Sequence, residues 1–153
     1  MKRQRKKYEK PFKPWDRERM QAEEKLMERY GLKNKREIWR MQAILRGWRS
    51  QARRLLASKG PQAELETRQL LSKLKRYGLV GENATLDDVL GLTLENVLER
   101  RLQTVLWRRG LARSAKHARQ LIVHGKVVLG GEELSSPSFL VEKGVEERLE
   151  VRE

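Results

Sequence analysis

Arg113, Lys116, His117 and Gln120 recur at i, i+3, i+4 and i+7, with Arg119 beside them. A helix through this stretch therefore carries its donors along one face. Arg46, Arg49 and Arg53 repeat the device earlier in the chain. Cations at that spacing suit the phosphate oxygens of a polyanion, bound by charge-assisted hydrogen bonds without any covalent step. Side chains able to make or break bonds are fewer and poorly placed. His117 and His124 are seven apart and share a helix face, but a metal needs further ligands and no such cluster accompanies them. His124 also precedes Gly125, where an imidazole can bond free helix-end carbonyls. Asp87 and Asp88 belong to a capped helical turn, which accounts for their charge. Ser114 lacks the base and orienting group that would make it a nucleophile. Gly125-Lys126 is not a phosphate loop, because Val127 replaces the Ser or Thr and Gln120 stands where the first Gly belongs. No catalytic residue, metal ligand, cofactor or small-molecule substrate is expected.

The charge distribution supports non-covalent contact with a polyanion. The chain has 153 residues with 35 Lys and Arg against 21 Asp and Glu, a formal net charge of +14. Residues 1–60 hold 20 basic residues against 7 acids, and residues 100–131 hold 8 against none. The stretches 61–99 and 132–153 are net acidic, at 4 against 7 and 3 against 7. Two separated basic blocks indicate two contact surfaces, since solubility alone needs only a modest net charge. Nucleic acid is the expected polyanion, with an anionic membrane surface as the competitor.

The elements that must position these cations follow from periodicity. Lys2, Arg3, Arg5, Lys6 and Lys7 begin an arm over 1–15 that interleaves cations with Tyr8, Phe12 and Trp15. Pro11 and Pro14 prevent a regular helix there. Such an arm should order only on a partner; the blander alternatives are a solvated tail or a nuclear-targeting tract. Residues 16–99 read as mostly helical. A helix starts at Asp16 and stops at Gly31. Asn34 and Glu37 form a weaker relative of a capping box. Ile38, Met41, Leu45, Trp48, Ala52 and Leu55 then make an apolar seam with steps of three and four. No acid occurs between Ile38 and Gln62, so the Arg46, Arg49, Arg53 ridge lacks intrahelical partners and is expected to contact phosphate.

Beyond Gly60-Pro61 a further helix runs to about Tyr77, and Thr85 caps a short turn. Thr93 starts an apolar stripe through Leu94, Val97, Leu98, Leu102, Val105 and Leu106, expected as one helix ending at Gly110. Ser114 caps the next helix. After Gly125 the period becomes two, with a hairpin turning at Gly130-Gly131 and further short strands at Phe139-Leu-Val141 and Leu149-Glu-Val151. The expected fold class is α+β: basic arm, helical region, and a C-terminal module over 100–153 of two to three helices plus short antiparallel strands.

The chain contains no cysteine, which excludes disulfides and thiolate zinc sites. It has no apolar run long enough to span a bilayer and no secretory signal stretch near its basic start. A soluble intracellular protein is the expectation.

Four fragments in one order make the chain recognisable: Arg101-Leu-Gln-Thr-Val-Leu106, Arg109-Gly-Leu-Ala-Arg-Ser114, Ala118-Arg-Gln-Leu-Ile-Val-His-Gly-Lys-Val127 and Ser136-Pro-Ser-Phe-Leu-Val141. Together they resemble the RNA-binding module named after ribosomal protein four of the small subunit. The module also occurs in some pseudouridine synthases, tyrosyl-tRNA synthetases and a heat-shock protein, so the remaining residues decide. Lys2-Arg-Gln-Arg-Lys-Lys-Tyr8 with Pro14-Trp15, Tyr30-Gly-Leu-Lys-Asn-Lys-Arg-Glu-Ile-Trp-Arg40 and Ala84-Thr-Leu-Asp-Asp-Val-Leu90 are similar to the archaeal and eukaryotic type of that ribosomal family. The resemblance implies a cytoplasmic constituent of the small ribosomal subunit. It implies binding to the five-prime domain of small-subunit ribosomal RNA early in assembly, and contact with ribosomal protein five. It also implies an RNA surface of Arg101, Arg109, Arg113, Ser114, Lys116, Arg119, His124 and Lys126, the helix face already reached from spacing. The alternative is a ribosome-associated or tRNA-binding quality-control protein using the same module. An RNA-modifying enzyme would need a catalytic domain for which the length leaves no room. The chain departs from bacterial relatives in having Gly130-Gly131 for Asn-Gly at the hairpin turn, and a basic arm where some carry a metal-binding cysteine cluster.

Overall fold

The computed structural model describes residues 3–152. Helix α1 spans Arg17–Tyr30, with the Asp16 carboxylate accepting from the Arg19 amide and Gly31 ending it in the left-handed conformation. Helix α2 spans Lys35–Ala57 and buries all six seam residues, Ile38, Met41, Leu45, Trp48, Ala52 and Leu55. Pro61 begins α3, Pro61–Arg76, at the first helical position, where its missing N–H is no loss. Thr85 and Asp88 form a reciprocal capping box on the short helix α4, Leu86–Leu90. These elements enclose one apolar core, from Tyr30 and Leu32 through the α2 seam to Leu70, Leu74, Val89, Leu92, Val97 and Leu98.

The apolar stripe expected as one helix is broken. Helix α5, Leu94–Glu99, ends at Arg100, and α6 restarts over Leu102–Arg108 with Arg101 extended between them at φ −69°, ψ 143°. The extended residue makes an isolated antiparallel bridge to Leu140. In place of the strand expected at Phe139-Leu-Val141, that bridge is the ordered feature. It is fixed by the Leu102 amide on the Phe139 carbonyl at 2.7 Å and the Val141 amide on the Arg100 carbonyl at 2.9 Å. The break divides the stripe between two cores. Val97 and Leu98 stay in the first; Leu102, Val105 and Leu106 join Ala112, Ala118, Ile122, Val127, Val141 and Leu149 in a second.

Helix α7 spans Ala115–Val123, its start capped by Ser114 Oγ accepting from the His117 amide at 3.1 Å. A three-stranded antiparallel sheet follows, ordered β2-β1-β3. Strand β1, Val127–Leu129, turns through Gly130 and Gly131 into β2, Glu132–Glu133. Both glycines have positive φ, 57° and 94°, as a two-residue hairpin turn of this hand requires. Strand β3, Leu149–Val151, pairs with the other edge of β1 after a 3-10 turn over Val145–Arg148. Among the described residues no helix is long and apolar enough to cross a membrane.

Two glycines give opposite expectations. Gly31 has φ 62°, and a Cβ there would lie 2.9 Å from Ala115 Cβ and 3.0 Å from Gln103 Nε2. Gly31→Ala is expected to lower the unfolding free energy by about 2–4 kcal/mol, combining left-handed strain with overpacking. Gly47 lies within α2 with nothing within 4 Å of a built Cβ. Gly47→Ala is expected to raise stability by about 0.5–1 kcal/mol. Denaturant titration of the two variants checks both signs.

Candidate nucleic-acid interface

Sorting the cations by partner separates those that hold the fold from those left to solvent. Of the eight basic residues in 100–131, four are paired to carboxylates. Arg100 meets Glu146 at 3.1 Å, Arg101 meets Glu37 at 2.6 Å, Arg108 meets Glu99 at 3.0 Å and Arg119 meets Glu37 at 2.9 Å. Arg109, Arg113, Lys116 and Lys126 have no ion pair among the described residues and are exposed. Ser114 and His124 are exposed as well. Helix α7 turns Ala115, Ala118 and Ile122 inward, which leaves Lys116 and Gln120 on its outer side. Half-buried His117 accepts the Arg113 amide on Nδ1 at 3.2 Å, so in the neutral ring Nε2 carries the proton. The Ser114 hydroxyl oxygen is engaged as the cap, yet its O–H remains able to donate. The start of α7 thus combines free cations with the positive end of a helix dipole.

Arg101 requires a correction. Expected on the RNA-facing surface, it is 1% exposed and directed into the protein. Its Nη2 donates to Glu37, while its Nε and Nη1 are buried without a partner. Arg119 is half-buried and donates to both carboxylate oxygens of Glu37, at 2.9 Å and 3.1 Å. Gln103 completes the cluster. Its amide nitrogen donates to the carbonyls of Tyr30, Gly31 and Ala115 at 3.2, 2.9 and 2.9 Å. This junction ties the α1–α2 turn to α6 and to the start of α7. Burial alone would raise the Glu37 carboxyl, but hydrogen bonds and charge from Arg119 and Arg101 outweigh it and hold the group below the usual carboxylate range. Burial pulls Arg101 below the ordinary guanidinium value, against the pull of Glu37. Nearby, burial and a 3.0 Å hydrogen bond to Glu99 push the Tyr30 hydroxyl up to about 12.

The second basic surface runs along α2. Arg46, Arg49 and Arg53 line an open groove of about 590 Å³ together with Thr93 and Leu94. Exposed Arg53 has no ion pair among the described residues. Arg46 pairs with Glu9 of the arm, and half-buried Arg49 donates to the Leu92 carbonyl. The ridge therefore has partners that intrahelical spacing did not suggest. Arg3, Arg5, Lys6 and Lys7 are exposed and lie in no helix or strand, and Lys2 falls outside the described residues.

Sequence reasoning missed Glu37, Gln103 and Glu23 as organising residues. Glu37 did carry a signal, being the last acid before a long acid-free stretch. Gln103 carried none, since its partners are distant in sequence, and Glu23 carried only its i,i+4 spacing from Arg19, which shows neither its burial nor its bond to Trp39.

Comparison with known proteins agrees across the chain. Residues 1–99 match the family described as the ribosomal protein S4/S9 N-terminal domain, and residues 100–146 match the S4 domain. The small ribosomal subunit protein uS4 of Nanoarchaeum equitans is 51% identical over 150 residues, covering 97% of this chain and 83% of the relative. That of Ignicoccus hospitalis is 52% identical over 143 residues, covering 94% and 86%. That of Picrophilus torridus is 48% identical over 153 residues, covering 98% and 84%.

The junction predicts a coupled response. Glu37→Leu leaves the buried Arg101 guanidinium without its counter-ion and is expected to destabilise by about 3–5 kcal/mol. Adding Arg101→Met should recover part of that loss, because the uncompensated charge disappears with its partner. Strict additivity in denaturant titration would contradict the assignment. Because Glu37 has a lower folded than unfolded value, its contribution is complete above the unfolded value and is lost as pH falls through the folded one. Stability should therefore fall on the acid side, and less steeply in Glu37→Gln than in the parent.

Proposed function

Because this chain belongs to the ribosomal protein S4 family, we propose that it is a structural constituent of the small ribosomal subunit. In this reading it binds the five-prime domain of small-subunit ribosomal RNA, stabilises its assembly in the cytoplasm, and lies against neighbouring ribosomal proteins, ribosomal protein five among them. No catalytic step is involved. The observation that carries the reading is the set of cations without ion pairs among the described residues at the α7 face, with the α2 groove, where Arg53 alone of the three arginines has no such partner, on the other side of one buried junction. Arg109, Arg113, Lys116 and Lys126, with Ser114, His117 and His124, would take phosphates on one side. Arg53, with Arg46 and Arg49 after exchange of their present partners, would take them on the other. Arg101 is left out because it is 1% exposed, and half-buried Arg119 because its guanidinium is engaged by Glu37. Recognition would rest on backbone and shape, since duplex RNA hides its deep-groove base edges. The quality-control alternative is not favoured, because the likeness extends through residues 1–99 and not the module alone.

The test is titration of the full chain against a five-prime-domain RNA fragment over a series of salt concentrations. Affinity should fall steeply, by roughly 10³–10⁵ from low to moderate salt if about 6–10 phosphates are engaged. A triple variant with alanine at Arg109, Arg113 and Lys116 should reduce the log–log slope by about three, while unfolding free energy changes by no more than about 0.5 kcal/mol. A slope equal to that of the parent would remove the α7 face from the interface.

A further inference from the structure

The stretch 8–15 crosses α1 and α2 as a strap held by three contacts, two of which trace to Glu23. This α1 carboxylate is 3% exposed. Arg19 Nη1 donates to both of its oxygens at 2.8 Å, Trp39 Nε1 donates at 2.9 Å, and Lys35 Nζ stands 3.7 Å away. Arg19 Nη2 in turn donates to the carbonyls of Lys13 at 3.2 Å and Pro14 at 3.0 Å. The Trp39 ring meets Tyr8 with centroids 6.0 Å apart, and the adjacent Glu9 pairs with Arg46. A single buried carboxylate therefore orients the guanidinium that grips one end of the strap and the indole that receives the other.

The strap holds two aromatic rings in solvent. Phe12 is 98% exposed and Trp15 is 89% exposed, with exposed Lys10 and Lys13 interleaved. Apolar rings left in water on an ordered support are poised for a partner. The surrounding charge indicates which: residues 3–15 carry six Lys and Arg against Glu9 alone, and Glu9 is already paired. Ring faces flanked by ammonium groups match unpaired nucleotides, whose bases stack while neighbouring phosphates take the cations. Holding the rings in place beforehand removes part of the ordering entropy of binding.

We propose that Phe12 and Trp15 form a preorganised stacking site for unpaired RNA bases, with Lys10 and Lys13 on the adjoining phosphates and Glu23 as the positioning residue. The inference rests on the RNA-binding reading above and adds a single-strand site to it. The test uses the full chain with two labelled probes, single-stranded oligoadenylate and a blunt RNA duplex of the same length. Phe12→Ala with Trp15→Ala should weaken oligoadenylate binding by roughly tenfold or more, from the stacking of one or two bases. Duplex affinity and the salt slope for oligoadenylate should stay as in the parent, because phosphate contacts remain. Glu23→Gln, which touches neither ring, should weaken oligoadenylate alone, and Phe12→Trp should bind like the parent. Unchanged oligoadenylate affinity in the double alanine variant overturns the stacking site. Parent protein that binds the duplex but not oligoadenylate also overturns it and leaves the RNA reading standing. Failure to bind either probe removes both.

Discussion

The Glu37 carboxylate between Arg101 and Arg119 is the interaction on which the arrangement of the two basic surfaces depends. Burying a guanidinium is expensive, and Arg101 is buried with two nitrogens unpaired, so Glu37 cannot be dispensed with once the fold is closed. The cluster explains the break between α5 and α6. Arg101 must be extended for its side chain to reach Glu37, 64 residues earlier, and the extended backbone then bridges Leu140. Gln103, in the first turn of α6, donates to the carbonyls of Tyr30, Gly31 and Ala115 and so sets the α1–α2 turn against the start of α7. Gly31 is needed at that contact because any side chain would collide with Ala115. Shape at the junction thus fixes where the free cations stand.

A protein with a net charge of +14 faces self-repulsion in its compact state. The chain manages this by division of labour. Arginines near acids are drawn into ion pairs that join elements, as Arg108 does with Glu99, a carboxyl that burial would raise but that Arg108 and Tyr30 hold below its usual range. Cations left unpaired lie on α7, in the hairpin approach and along α2, where an anionic partner would relieve the repulsion. Glu23 follows the same logic on a smaller scale, with one buried acid ordering a basic arm.

Local signals were legible in the sequence because local physics produces them. The α2 seam has a helical period, Asp16, Thr93 and Ser114 cap helix starts with side-chain oxygens that accept a backbone amide, and Gly130-Gly131 supplies two positive φ angles. All of these depend on residues within a turn or two of one another. The broken stripe was not legible, since the apolar spacing runs unchanged across Arg100-Arg101 while the cause of the break lies at Glu37 and Leu140. The burial of Arg101 is hidden for the same reason: in its own neighbourhood it is one more cation in an acid-free run. The contacts of the arm with Arg19, Trp39 and Arg46 are all tertiary and leave no trace in its own spacing.

The most direct test of two cationic surfaces gripping one RNA is photocrosslinking in intact cells, with a crosslinker at Arg53 in one strain and at Lys116 in another, followed by sequencing of the attached RNA. Two discrete sites are expected, both within the five-prime domain of small-subunit ribosomal RNA and separated by a fixed distance in its folded form. Crosslinks spread over tRNA or large-subunit RNA, or confined to one surface, would contradict the two-surface grip.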